Sequence, residues 1–62
     1  MDYIELQSAI GTDAIGLYDA ENGVMHLMSD DIDANMTVGA NSESHARALF
    51  EVFDREVAGL PS

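Results

Sequence analysis

No disulfide can staple this chain, because its 62 residues include no Cys. A chain of this length buries only about 60% of the surface that its unfolded form exposes. Domains this small draw extra stability from disulfides, a metal or a partner subunit. Without Cys, disulfides and thiolate zinc sites are both excluded, and self-association is the remaining staple. The expectation is one small domain over residues 1–62 that forms a homodimer. The missing Cys is also compatible with a reducing cytoplasm.

Charge is the second constraint. There are twelve carboxylates against two Arg and no Lys, a net charge of −10. So one-sided a charge makes a small folded body repel itself in dilute buffer. Strong salt removes the repulsion, since the Debye length is about 3 Å at 1 M. The pattern is that of a salt-adapted protein, and the expected location is the cytoplasm of a halophile. The competing reading is an ordinary acidic module that binds a basic partner. The apolar fraction of 47% is too high for a disordered acidic tail. No apolar run approaches the 18 residues of a bilayer span. The stretch from Met1 to Glu5 lacks the basic segment of a secretory signal. Two Arg cannot neutralise a phosphate backbone against twelve acids, so direct nucleic-acid binding is not expected.

The fold class expected is α+β: a small antiparallel meander of three or four strands with one C-terminal amphipathic helix packed on it. From Ile4 to Ile10 the chain alternates at first and then weakens, which suggests a strand ending at Gly11. A short helix with Tyr3, Leu6 and Ile10 on one face is the alternative. Residues 13–18 and 24–28 read as strands around a tip at Asn22-Gly23. A three-residue loop, Glu21 to Gly23, pairs Leu17 with Leu27 and puts Ile15 and Met25 on the same face. Tyr18, Val24, His26 and Met28 then share the other face, with His26 opposite Tyr18. Both faces are partly apolar; the helix covers one, and the second needs another cover. After the polar turn of residues 29–33, Ala34, Met36 and Val38 alternate along another strand.

The helix is expected over residues 42–58, capped by Asn41 or Ser42. Ala46, Leu49, Phe50, Phe53 and Val57 form one apolar stripe, and Arg47, Glu51, Asp54, Arg55 and Glu56 lie off it. Glu51 and Arg55, at i and i+4, add about 0.3 kcal/mol. Gly59 suits a left-handed end, Leu60 can fold back onto the last turn, and Pro61 blocks continuation.

Chemistry-bearing patterns are few. The cluster Asp30, Asp31, Asp33 and Asn35 resembles the start of a calcium loop. An EF-hand beginning at Asp31 needs Gly sixth and Glu twelfth, and here those positions hold Met36 and Ser42. It reads as a solvated acidic turn. Neither Cys nor Lys is present as a nucleophile, and no Gly-x-Ser-x-Gly elbow occurs. No enzyme activity, cofactor or metal is therefore expected. The candidate interaction or ligand surface comprises Tyr18, Met25, His26, Met28 and His45. Met25, Met28 and Met36 suit an adaptable contact surface as well as core filling. The alternative function is a small-ligand or cation-binding domain, with its site near Tyr18, His26 and His45 in a dimer crevice.

One family likeness lies in the same segments. The run from Ala14 to Asp19, then Val38, then the run from Ser44 to Asp54 look like the end of the C-terminal sensor region of haloarchaeal TrmB-like transcription regulators. That region similarly places strands before a helix of the Ala-x-x-Leu-x-x-x-Phe-Asp kind. The family helix often carries Trp near its end, where this chain has Arg55-Glu56. The family's winged-helix DNA-binding domain has no counterpart in these 62 residues, so DNA binding and sugar sensing do not carry over. The resemblance implies a haloarchaeal source and an accessory role in regulation. The function expected is that of a non-enzymatic, self-associating protein-interaction module.

Overall fold

The structure is a computed structural model that describes residues 3–60. Met1 and Pro61, used above in reading the start of the chain and the helix stop, lie outside the described residues. Four strands, β1 (Tyr3–Gln7), β2 (Ile15–Asp19), β3 (Val24–Ser29) and β4 (Ala34–Gly39), precede one helix, α1 (Glu43–Val57). The strands form an antiparallel sheet in the order β1-β2-β3-β4, each beside its chain neighbour. The α+β meander with a C-terminal helix is therefore the observed architecture. Residues 3–7 are strand rather than helix, with Ile4 and Leu6 turned inward.

Helix α1 is set by its ends and its stripe. The Ser42 hydroxyl accepts from the His45 N–H at 3.2 Å, making Ser42 the N-cap. Glu43 follows in the first turn, where the dipole favours an anion, and pairs with Arg47 at 2.8 Å. At the other end Gly59 takes φ +76°. The Leu60 N–H reaches the Arg55 carbonyl and the Gly59 N–H reaches that of Glu56, which together make a Schellman closure. Ala46, Phe50 and Phe53 are buried, with Leu49 and Val57 packed at their margin. They meet Leu6, Tyr18, Met25 and Leu27, and the helix lies over β2 and β3.

The close approach of helix to sheet depends on Gly16. A Cβ built there would stand 2.7 Å from Phe50 Cδ1 and 3.5 Å from Leu6 Cβ. Any side chain at this position must displace the Phe50 ring.

The β2–β3 hairpin differs from the expected register by one residue. Leu17 faces His26 and Tyr18 faces Met25, not Leu17–Leu27 and Tyr18–His26. The physical reason is Asp19. Its carboxylate accepts from the N–H groups of Glu21 and Asn22 and from the Asn22 amide at 2.6 Å. These bonds hold a four-residue loop, Ala20 to Gly23, closed by the Gly23 N–H to the Asp19 carbonyl. Tyr18 therefore moves to the helix side with Met25 and Leu27, and Ile15 and Leu17 move to the opposite face. The β3–β4 loop has the same length and places Asp33, at φ +51°, where the first loop has Gly23 at +66°.

Two carboxylates, Asp13 in the β1–β2 loop and Asp19 at the end of β2, act as anion anchors. Asp13 accepts from the Ser29 hydroxyl at 2.6 Å and from the Asp31 N–H at 2.9 Å. The Ser29 bond, then the backbone donors, hold its pKa below the ordinary 3.8. The Asn22 amide and then loop N–H groups lower Asp19 in the same direction. With folded values below unfolded ones, their stabilisation is complete above pH 3.8 and is lost as pH falls through the folded values. Carboxyl-resolved NMR titration in molar KCl, where general repulsion is screened, should show Asp13 and Asp19 among the last carboxylates to protonate. Mid-range titration of both would refute the anchoring role.

Candidate functional site

Among the described residues, the helix covers one face of the sheet and leaves the other bare. Strand alternation places Glu5 and Gln7 of β1, Ile15 and Leu17 of β2, Val24, His26 and Met28 of β3, and Asn35 and Thr37 of β4 on that bare face. Its two middle strands carry Ile15, Leu17, Val24 and Met28, all half-buried by their cross-strand neighbours alone. His26 sits near the centre, between Leu17 and Thr37, with Nδ1 2.9 Å from Thr37 Oγ1.

The distribution of acids defines this face. The described carboxylates lie mainly in the loops and along α1. Among strand positions on the bare face only Glu5 presents one outward, on an edge strand, where it accepts from Gln7 at 3.1 Å. Asp19, at the corner, is 4% exposed and is turned into its own loop. A surface otherwise coated with negative charge is thus apolar and nearly charge-free here.

The five candidate residues separate. Tyr18 and Met25 are core residues on the helix side, 4% and 0% exposed. His26 and Met28 lie on the bare face. His45 is at the start of α1, where its Nδ1 accepts from the Asn41 N–H at 3.0 Å. Tyr18 and His26 stand on opposite faces of one sheet, so the site drawn from Tyr18, His26 and His45 is not assembled. Burial also removes Tyr18 and Met25 from any contact surface. Among the described residues no group of three or more His, Asp or Glu is placed to hold a metal ion. No described helix is long and apolar enough to cross a membrane.

A second feature was not visible in the sequence. Asp54, placed off the apolar stripe above, is 4% exposed. Its carboxylate accepts from Ser8 Oγ at 2.9 Å and from Thr12 Oγ1 at 2.5 Å. Ser8 Oγ in turn accepts from the Ile10 and Thr12 N–H groups, and Thr12 Oγ1 from that of Ala14. This clasp ties the β1–β2 loop to the helix. Asp54 is four residues past Phe50 and eight past Ala46, so it borders the buried stripe; that spacing was the available signal. Beside the clasp a groove of about 300 Å³ runs between β1, its following loop and α1, floored by Leu6 and Phe50.

No protein-family model, curated protein or solved structure matches this chain.

Proposed function

We propose that this chain is a non-enzymatic protein-interaction module that pairs with a second copy of itself through the bare face of its sheet. The observation that carries the reading is the apolar, carboxylate-poor character of that face within a −10 molecule. A second copy brings the same face, so neither partner buries an unpaired charge at the centre, and the two acid coats point away from the contact. Face-to-face packing about 10 Å apart is the ordinary way for two such sheets to share a core. The area is modest. Four strands at about 4.8 Å spacing and about 18 Å length give roughly 350 Å² of plan area per copy. The two copies together give roughly 700 Å², below the roughly 1,200 Å² at which standard specific interfaces begin, so the pairing is weak and strongly concentration-dependent. The salt-adapted composition and the likeness to the end of haloarchaeal TrmB-like sensor regions support a place accessory to regulation in such a cell.

Sedimentation equilibrium in 2 M KCl tests the pairing. Wild-type protein should be dimeric at tens of micromolar. Leu17→Glu, which places a carboxylate at the centre of the face without touching the core, should be a folded monomer. A wild-type monomer at that concentration, or a dimer indifferent to Leu17→Glu, refutes it.

A further inference from the structure

We infer that Asn22 is a self-modification site that the folded hairpin holds closed: when the β2–β3 loop opens, the Asn22 amide converts to a carboxylate, and the product does not rebuild the loop. Asn22 is followed by Gly23 at the hairpin tip. Gly has no side chain to hinder its own backbone nitrogen. That nitrogen can attack the side-chain carbonyl carbon of Asn22, Cγ. The bond from Gly23 N to Cγ forms, the Cγ–Nδ2 bond breaks, and Nδ2 leaves as ammonia with the proton that Gly23 N gives up. Water then opens the resulting cyclic imide at either carbonyl. The product is aspartate, or isoaspartate with the main chain rerouted through the side chain. Water is consumed, ammonia is released, and no oxidant or cofactor is required. The inference does not rest on self-association.

In the folded loop both reacting groups are tied down by the same residue. The Gly23 N–H donates to the Asp19 carbonyl at 2.9 Å. Asn22 Nδ2 donates to Asp19 Oδ2 at 2.6 Å, and the Asn22 N–H donates to Asp19 Oδ1 at 3.3 Å. Attack needs the Gly23 proton released and the Asn22 side chain turned back onto its own chain. Each of these breaks a bond to Asp19. Asn22 is exposed, so water reaches it; the bonds, not burial, keep it unreactive. The other asparagines are placed differently. Asn35 precedes Met36 and Asn41 precedes Ser42, and those side chains crowd the attacking nitrogen.

The product destroys the contact that shaped the loop. Conversion replaces the donating amide, 2.6 Å from Asp19 Oδ2, by a carboxylate. Two carboxylates so close cannot both stay ionised. Asp19 is 4% exposed, so little water is at hand to screen them. The donor that chiefly lowers the Asp19 pKa becomes a like charge. Isoaspartate also lengthens the main-chain path of the loop by a carbon. Loop length sets the β2–β3 register, and that register puts Tyr18 in the core, so the damage passes from the loop to the core. At a net charge of −10, dilute solvent is one condition that opens the hairpin. The chain then carries a lasting covalent mark of that exposure.

Peptide mapping by mass spectrometry, after incubation at about pH 8 and about 37 °C, tests the inference. One sample stays folded in 2 M KCl and another is unfolded in concentrated guanidinium chloride. Asn22 should convert about tenfold or more slowly in the folded sample, since only the open fraction reacts. In the unfolded sample it should convert well ahead of Asn35 and Asn41. Asn22→Asp, which installs the product, should lower the melting temperature in 2 M KCl or prevent folding. Combining Asp19→Asn with Asn22→Asp exchanges amide and carboxylate across the same contact and should recover folding. The inference fails if folded and unfolded samples convert alike, or if Asn35 or Asn41 keeps pace with Asn22 in denaturant. It fails equally if Asn22→Asp melts as wild type does, or if the exchange restores nothing. Leu17→Glu should protect Asn22 as wild type does, which separates this result from the fate of the dimer.

Discussion

Phe50→Ala should leave the domain largely unfolded at 25 °C. The ring is 6% exposed and occupies the notch above Gly16, in contact with the core that Leu6, Leu27 and Phe53 complete. Truncating a buried Phe to Ala costs about 3–5 kcal/mol. A 62-residue chain has about 3–9 kcal/mol in all. Thermal and urea unfolding followed by circular dichroism in 2 M KCl would show a lost or strongly lowered transition. Gly16→Ala supplies the converse, because its Cβ would sit 2.7 Å from Phe50 Cδ1; overpacking of that kind costs about 1–3 kcal/mol. In a Phe50→Leu background, where the ring is gone, the same Gly16→Ala change should cost markedly less. Additive effects in that cycle would show that the two positions do not share a contact.

Moving the wild-type protein from 2 M KCl to about 10 mM buffer should unfold much of it. Ten net charges make about 45 pair repulsions. The radius of gyration is 10.8 Å, so a typical separation is about 15 Å, and each pair costs about 0.3 kcal/mol in water. Unfolding at least doubles the separations and relieves about half of the total. At 10 mM salt the Debye length is about 30 Å, and roughly 4 kcal/mol of net destabilisation survives. That is comparable with the whole stability. The Glu43–Arg47 ion pair on the helix surface, at 2.8 Å, offsets a small part of it. Circular dichroism across a KCl series should show folding rise steeply and level off near 1 M. Equal melting temperatures at 10 mM and 2 M KCl would show that the acid coat does not govern stability.

The parts of this architecture that were legible in the sequence are those written locally. Helix α1 follows from one apolar stripe, a Ser cap and a Gly closure, all within 18 residues of chain. The strands follow from alternation and from turn residues between them. The β2–β3 register was misread because apolar residues occupy both faces of that hairpin, so alternation does not say which face turns inward. Only loop length decides, and it is settled by the Asp19 side chain bonding to Glu21 and Asn22. One residue of slip then exchanges Tyr18 for Leu17 in the core. The same slip dispersed the candidate surface, sending Tyr18 and Met25 inward and leaving His26 and Met28 outside. Asp54 and the groove were illegible for another reason. Ser8 and Thr12 are 46 and 42 positions from Asp54, and no local pattern records a partnership of that length.

The sequential strand order also fixes a kinetic hierarchy. Each hairpin joins chain neighbours, so the meander can close by short loops at low entropic expense and should form on a fast timescale. The helix reaches the first loop only across most of the chain, which makes its docking the late event. The groove beside the clasp is then the seam left by the last step of folding.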